Sequence, residues 1–133
     1  MKNIILSLVL GAALVGCASM PSATEQQAAD YGMPISQVDA EAAAKAYLAS
    51  RLKDPMSAVI TWSAVEKGFV GSAPLLGRKA AYGYLLNGSV NAKNSFGGYT
   101  GAKPYQFLFR NGVVVYAAKS ECLDVGSCYM APF

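Results

Sequence analysis

The chain has 133 residues, with 11 basic and 8 acidic side chains, three cysteines and no histidine. Because no basic residues form a long run, the sequence lacks the electrostatic footprint of a nucleic-acid-binding protein, and no nucleic-acid partner is expected. The absence of histidine removes the usual general base and the commonest metal ligand at neutral pH. We therefore predict a protein that is not an enzyme, with no catalytic residues and no metal site.

The first element is an apolar segment over residues 4–15. It is shorter than the roughly 20 helical residues that a bilayer span requires, so residues 1–16 are predicted to be a signal peptide. Residues 14–17 read L-V-G-C and resemble the lipobox of bacterial lipoproteins. The resemblance implies that the chain is cut before Cys17, whose thiol receives a diacylglyceryl group. Its freed amine would receive an acyl chain such as palmitate, and no other cofactor is expected.

The lipobox resemblance also predicts where in the cell the protein is located. Two or three acyl chains would hold the protein on a membrane almost permanently. In a diderm host, Ala18, in the place of an aspartate, fits the lipoprotein rule for transfer to the outer membrane, facing the periplasm. The alternative is an ordinary signal peptide in which Cys17 is an incidental thiol.

The other two cysteines are predicted to form a disulfide. With Cys17 lipidated, Cys122 and Cys128 remain as a pair in an oxidising compartment. Closing this short loop would stabilise the fold by about 2 kcal/mol. A zinc site lacks ligands, and the spacing differs from the C-x-x-C of redox-active pairs.

Residues 17–35 are predicted to be the lipidated cysteine and a flexible linker, and residues 36–133 a single globular domain. The linker shows no periodic apolar pattern and would reach roughly 20 to 25 Å. Within the domain, Ser36 followed by Asp39 marks a helix start, and Asp54-Pro55 a stop, which predicts a helix over residues 37–53. Its apolar side has spacings of three and four and comprises Ala40, Ala44, Tyr47, Leu48 and Leu52.

The pattern after Pro55 is typical of strands. β-forming residues predict strands over 59–65 and 80–90, with one short strand at 69–70 in the intervening loop. Asn111-Gly112 suits a type I′ turn in a hairpin over residues 105–118. That turn predicts four opposed pairs: Arg110 with Val113, Phe109 with Val114, Leu108 with Val115, and Phe107 with Tyr116.

These elements predict an α+β fold, in which one N-terminal helix packs on a small, mostly antiparallel sheet. Both faces of the hairpin are largely apolar. One face is expected under the helix, and the other against more sheet or at a binding surface. The alternative is a small β-barrel with the helix as a plug or lid.

The segment over residues 91–101 is the candidate functional site. It concentrates amides, hydroxyls, glycines and two aromatic rings, a composition that suits recognition of a ligand or partner. The candidate contact residues are Asn91, Lys93, Asn94, Ser95, Phe96, Gly97, Gly98 and Tyr99. The alternative interpretation is a tight connection between strands, whose asparagines cap their own turns.

The same segment carries a second resemblance. Residues 90–101 read V-N-A-K-N-S-F-G-G-Y-T-G and residues 53–58 read K-D-P-M-S-A. Both strings are similar to ones in small lipoproteins of bacteria and prophages. This resemblance implies no activity.

The function predicted from the sequence is a membrane-anchored binding or interaction module of the cell envelope. Its partner would be an envelope protein or the cell wall. One alternative is a structural subunit of an envelope assembly, or a phage-derived protein for surface exclusion. Another is an inhibitor of host lysozyme, although the predicted helix differs from the all-β fold of such inhibitors.

Overall fold

The computed structural model describes residues 20–71, 79–123 and 126–133. The predicted signal peptide and the lipidation at Cys17 lie outside these residues. The described helices are α1 (Ala23–Ala28) and α2 (Gln37–Ala49). Neither has the length and apolar content needed to cross a bilayer. The described strands are β1 (Asp54–Trp62), β2 (Glu66–Val70), β3 (Ala81–Lys93), β4 (Lys103–Arg110), β5 (Val113–Cys122) and β6 (Cys128–Pro132).

All the paired strands are antiparallel, and the predicted α+β class is confirmed. The order across the sheet is β1-β3-β4-β5-β6, and β2 lies beside the first part of β3. β1 and β2 therefore share one edge of β3, while β4 occupies the other. Among the described strands the sheet is open, with β6 at its far edge, so the barrel alternative is not observed.

The break between β1 and β2 is held by side chains, which is why the predicted strand over 59–65 ends early. Gln37, at the start of α2, donates its Nε2 to the Ser63 carbonyl (2.9 Å). Its Oε1 accepts from the Val65 backbone N–H (2.8 Å). The Ser63 N–H donates to the Asn87 carbonyl of β3 (2.9 Å). The break thus joins the helix to the sheet.

Helix α2 begins where the sequence predicts. The Ser36 hydroxyl accepts a hydrogen bond from the Asp39 N–H (3.1 Å), which satisfies a free donor at the helix start. The helix ends at Ala49, earlier than the predicted residue 53, because β1 already begins at Asp54 and the turn between them needs residues. The fully buried side chains of α2 have the predicted spacing: Ala40, Ala44 and Leu48.

The hydrophobic core lies between α2 and one face of the sheet, which we call the core face. Tyr47 of α2 contacts the ring of Phe107 edge-on, with centroids 5.8 Å apart. Burying a side chain of this class contributes about 1.5 to 3 kcal/mol. The largest fully buried side chains of the described residues are Phe107, Phe109, Leu48, Leu86 and Leu108, and all of these except Leu108 belong to this core. The core thus depends mainly on β3, β4 and α2.

The predicted hairpin is confirmed at its turn. Asn111 and Gly112 both have positive φ, 52° and 77°, as a type I′ turn requires. The two predicted pairs nearest the turn are present: Arg110 with Val113 and Phe109 with Val114.

The other two predicted pairs are wrong, because a β-bulge inserts Val115. Beyond it the register moves by one residue, so Leu108 faces Tyr116 and Phe107 faces Ala117. An inserted residue reverses which side chains point to each face. Ala117 is therefore buried on the core face, and Tyr116 lies on the opposite face.

Strand β6 is not predicted by the sequence and pairs along the end of β5. Cys122 and Cys128 lie directly opposite each other in this pairing and form the predicted disulfide. Because both cysteines belong to paired strands, the disulfide closes the hairpin between β5 and β6. The loop-entropy value of about 2 kcal/mol applies to this hairpin.

Residues 22–35 are folded, although the sequence predicts a flexible linker there. We call this segment the strap. It contains α1, and the Arg110 guanidinium binds its Asp30. Tyr31 contacts the ring of Tyr82 edge-on at 5.6 Å. The linker prediction is therefore corrected for the strap, which packs through a few separate side chains and so has no apolar period.

Replacing Gly88 with alanine tests the packing of the core face. A Cβ at this position would lie 2.5 Å from two ring carbons of Trp62, so the indole must move. We expect a loss of about 1 to 3 kcal/mol in the free energy of unfolding. Trp62 is the only tryptophan, so its fluorescence spectrum should shift as well. Gly98→Ala is the control, because its nearest neighbour is 3.7 Å away, and equal losses in both variants would contradict this account.

Candidate functional site

The candidate segment lies where β3 passes to β4. β3 extends beyond the predicted residue 90 and includes Asn91 and Lys93. We call residues 94–101 the tip loop. The loop folds back on β3, since the Thr100 N–H donates to the Ala92 carbonyl (3.2 Å) and Lys93 forms a bridge with Tyr99.

The tip loop is organised by Asn94. Its side-chain Oδ1 accepts from the backbone N–H groups of Phe96 (2.9 Å) and Gly98 (3.1 Å). Its own N–H donates to the Gly98 carbonyl (2.8 Å). Gly97 has a φ of 81°, which favours glycine. These contacts match the alternative interpretation, in which the segment is a tight connection between strands. Asn94 and Gly97 therefore stabilise the conformation of the loop.

Tyr99 fastens the tip loop to β1. Its hydroxyl donates to the Ser57 carbonyl (3.1 Å). The Lys93 Nζ lies 5.3 Å from the centre of its ring, within range of a cation–π contact. The Tyr99 side chain remains 51% exposed, so part of its ring is available to a partner.

β1 is irregular at this end. Asp54 of β1 pairs with Lys93 of β3, and the next paired residue of β1, Val59, pairs with Asn91. The extra residues of β1 between them form a bulge. Pro55 has no N–H to donate to a ladder, which is consistent with an edge strand at a bulge. The bulge leaves the Met56 side chain 94% exposed.

Phe96 stands at the apex of the tip loop and is 96% exposed. It lies at the same end of the sheet as Met56, because Tyr99 ties the loop to Ser57, the neighbour of Met56. We call Met56, Lys93, Phe96 and Tyr99 the tip surface. It combines three apolar groups with one cation.

The other candidate residues are distributed differently. Ser95 is exposed on the tip loop, whereas Asn91 is half-buried within β3. The Asn91 Oδ1 is buried and has no hydrogen-bond partner among the described residues. Sequence reasoning missed Met56, although the Asp54-Pro55 pair that precedes it is a signal of irregular backbone.

An apolar groove adjoins the tip surface, between α2 and β1. It has a volume of about 560 Å³. Met56 is among the described residues that line it, and Lys45 is the one charged residue of that set. The remaining lining side chains are small or aliphatic and include Leu48, Leu52, Pro55, Ala58 and Ile60.

Basic side chains outnumber acidic ones among the described residues at this end of the sheet. The Lys119 ammonium hydrogen-bonds the Glu121 carboxylate (2.7 Å), which lowers the pKa of Glu121 and raises the pKa of Lys119. Burial raises the pKa of nearby Tyr105. Among the residues that the structure describes here, the acidic groups are Asp54 and Glu121, and the basic groups are Arg51, Lys53, Lys93, Lys103 and Lys119.

The tip surface offers apolar, cation–π and hydrogen-bonding contacts, which are those of recognition. Within the described ranges, no three His, Cys, Asp or Glu side chains are grouped so that they could hold a metal ion. Compared with known proteins, the chain matches no family model, no curated protein and no solved structure at a significant level.

Replacing Asn94 tests whether the tip loop is rigid. Asn94→Ala removes the acceptor shared by the Phe96 and Gly98 amides, so both should exchange hydrogen with solvent faster, measured by NMR. Asn94→Asp keeps the acceptor and should preserve protection. Ser95→Ala is the control, because its side chain is exposed and makes no hydrogen bond in the described structure. Unchanged exchange in Asn94→Ala would show that the side chain does not organise the loop.

Proposed function

We propose that this protein is a lipid-anchored lipoprotein of the cell envelope, whose domain binds a partner through the tip surface. The L-V-G-C motif at residues 14–17 supports an anchor at Cys17, on the outer membrane facing the periplasm. The observation that carries the binding function is Phe96, 96% exposed on a loop that Asn94 holds in place.

The location of the exposed apolar groups supports this function. Single exposed apolar side chains are common on proteins and need no explanation. Here Met56 and Phe96 are almost fully exposed at one end of the sheet, beside the half-exposed Tyr99. A cluster of this kind is typical of an interaction site.

The rigidity of the loop supports the same conclusion. Five backbone N–H groups of the tip loop donate hydrogen bonds within the loop or to β3, and none of these bonds involves the Phe96 side chain. A side chain presented on a preorganised loop loses less conformational entropy on binding than one on a mobile loop. The basic groups around the tip favour a partner whose contact surface is acidic at its rim and apolar at its centre.

The anchor is tested with Cys17→Ser in the full-length protein. The wild type should enter the detergent phase on phase separation with a cloud-point detergent, and the variant should remain in the aqueous phase, because each buried methylene contributes about 0.8 kcal/mol. The double variant Cys122→Ser and Cys128→Ser is the control and should behave like the wild type. Mature wild-type protein that keeps Met1 would contradict the anchor.

Binding is tested in intact host cells with a photo-crosslinking amino acid at position 95. Crosslinks to a discrete envelope component should fall by about tenfold or more in Phe96→Ser, because exposed aromatic anchors often contribute 2 kcal/mol or more to binding. Val38→Ser is the matched control, since Val38 is 77% exposed on α2, away from the tip. Equal crosslinking in both variants would exclude Phe96 from the contact.

A further inference from the structure

The strap is fastened at one end of the sheet. The Arg110 guanidinium donates to the Asp30 backbone carbonyl (2.7 Å), to the Asp30 carboxylate and to the Tyr82 carbonyl (3.3 Å). The Met33 N–H donates to the Asn111 Oδ1 (2.9 Å). Arg110 and Asn111 border the β4–β5 turn, and Tyr82 begins β3, so all these contacts lie at the end opposite to the tip loop.

The strap also has internal structure. The Ser22 N–H donates to the Glu25 carboxylate, which lowers the pKa of Glu25 and completes a capping box at the start of α1. The Tyr31 hydroxyl donates to the Gln26 carbonyl (2.8 Å), so α1 is joined to the residues that follow it. The Lys67 Nζ lies 5.2 Å from the centre of the Tyr31 ring. The strap therefore forms one folded unit from residue 22 onward.

Gly32 makes the close approach of the strap possible. Its φ is 74°, and a Cβ there would lie 2.6 Å from the Asn111 Oδ1 and 2.9 Å from the Arg110 Cγ. A side chain at this position would therefore both strain the backbone and push the strap away from the β4–β5 turn.

The folded strap shortens the free part of the chain. If residues 17–35 were flexible, the domain could rotate freely around a lipid on Cys17. With the strap folded from Ser22, residues 17–22 connect it to the anchor, and a stretch of that length spans at most about 18 Å. The strap end of the sheet is therefore held near the point of anchoring.

The tip surface lies far from that point. β3 has 13 residues and runs from the strap contacts at Tyr82 to the tip loop after Lys93. At about 3.3 Å per residue, a strand of this length measures roughly 40 Å. The two ends of β3 are thus separated by about twice the span of residues 17–22.

We propose that the strap orients the domain on its anchor, so that the tip surface points away from the anchoring bilayer and meets a protein partner beyond it. This proposal rests on the proposed lipid anchor at Cys17. It excludes the lipid headgroups of the anchoring membrane as the partner of the tip. Phe96 and Met56 then serve as contacts with a facing partner, and the strap sets how far from the membrane that partner is met.

The orientation is tested with the full-length lipidated protein in vesicles that carry an energy-transfer acceptor on their headgroups. A fluorescent amino acid is placed at Val113, beside the β4–β5 turn, or at Phe96. Because the ends of β3 are roughly 40 Å apart, transfer should be about twofold or more higher from position 113. Gly32→Val should reduce this difference and remove the exchange protection of the Met33 amide. Gly71→Val is the matched control, since its φ is also positive (63°) and no atom of the described residues lies within 4 Å of a Cβ at this position.

The outcomes separate the strap from the anchor. The proposal is supported if energy transfer is higher from position 113, if Gly32→Val reduces this difference, and if Gly71→Val leaves it unchanged. Equal or higher transfer at 96 in protein that enters the vesicles overturns the orientation and leaves the anchor intact. Wild-type protein that does not enter the vesicles overturns the anchor and the orientation together. In that case the exchange protection of Met33 still reports whether the strap is folded.

Discussion

The hydrogen-bonded ladder along β3 is the constraint on which the other features depend. This strand pairs with β1 and β2 along one edge and with β4 along the other, and it buries Leu86 and Val90 against α2. A strand bonded on both edges cannot bend freely, because its backbone donors and acceptors would lose their partners. β3 thereby separates the strap from the tip surface by its own length.

The two ends of β3 differ in how their polar and apolar groups are shielded from solvent. At the strap end, the strap packs on groups of the sheet such as Tyr82 and Arg110. At the tip end, Asn94 and Tyr99 hydrogen-bond nearby backbone groups, and no segment that the structure describes covers the loop. The strap shields apolar and polar groups from solvent, whereas the tip loop leaves Phe96 in solvent. The difference between the ends is what supports a binding role for the tip.

Much of the fold could be predicted from the sequence, because local signals agreed with the tertiary packing. The cap at Ser36, the apolar side of α2, the turn at Asn111-Gly112 and the disulfide pair follow from local chemistry or from cysteine number. Within the candidate site, the sequence identified the residues of the tip loop. It left open whether they cap their own turn or contact a partner, and the structure shows that Asn94 does the former.

The sequence by itself determined the period of α2, the strand-forming runs and the candidate segment, since each depends on neighbouring residues in the chain. Only the tertiary structure decided the bulge at Val115, the exposure of Met56 and the folding of the strap. A bulge depends on how two strands match, and the strap is held by residues far apart in sequence, such as Asp30 and Arg110. Contacts of this kind leave no periodic pattern in the chain, because each is made by a single side chain whose partner is set by the tertiary fold.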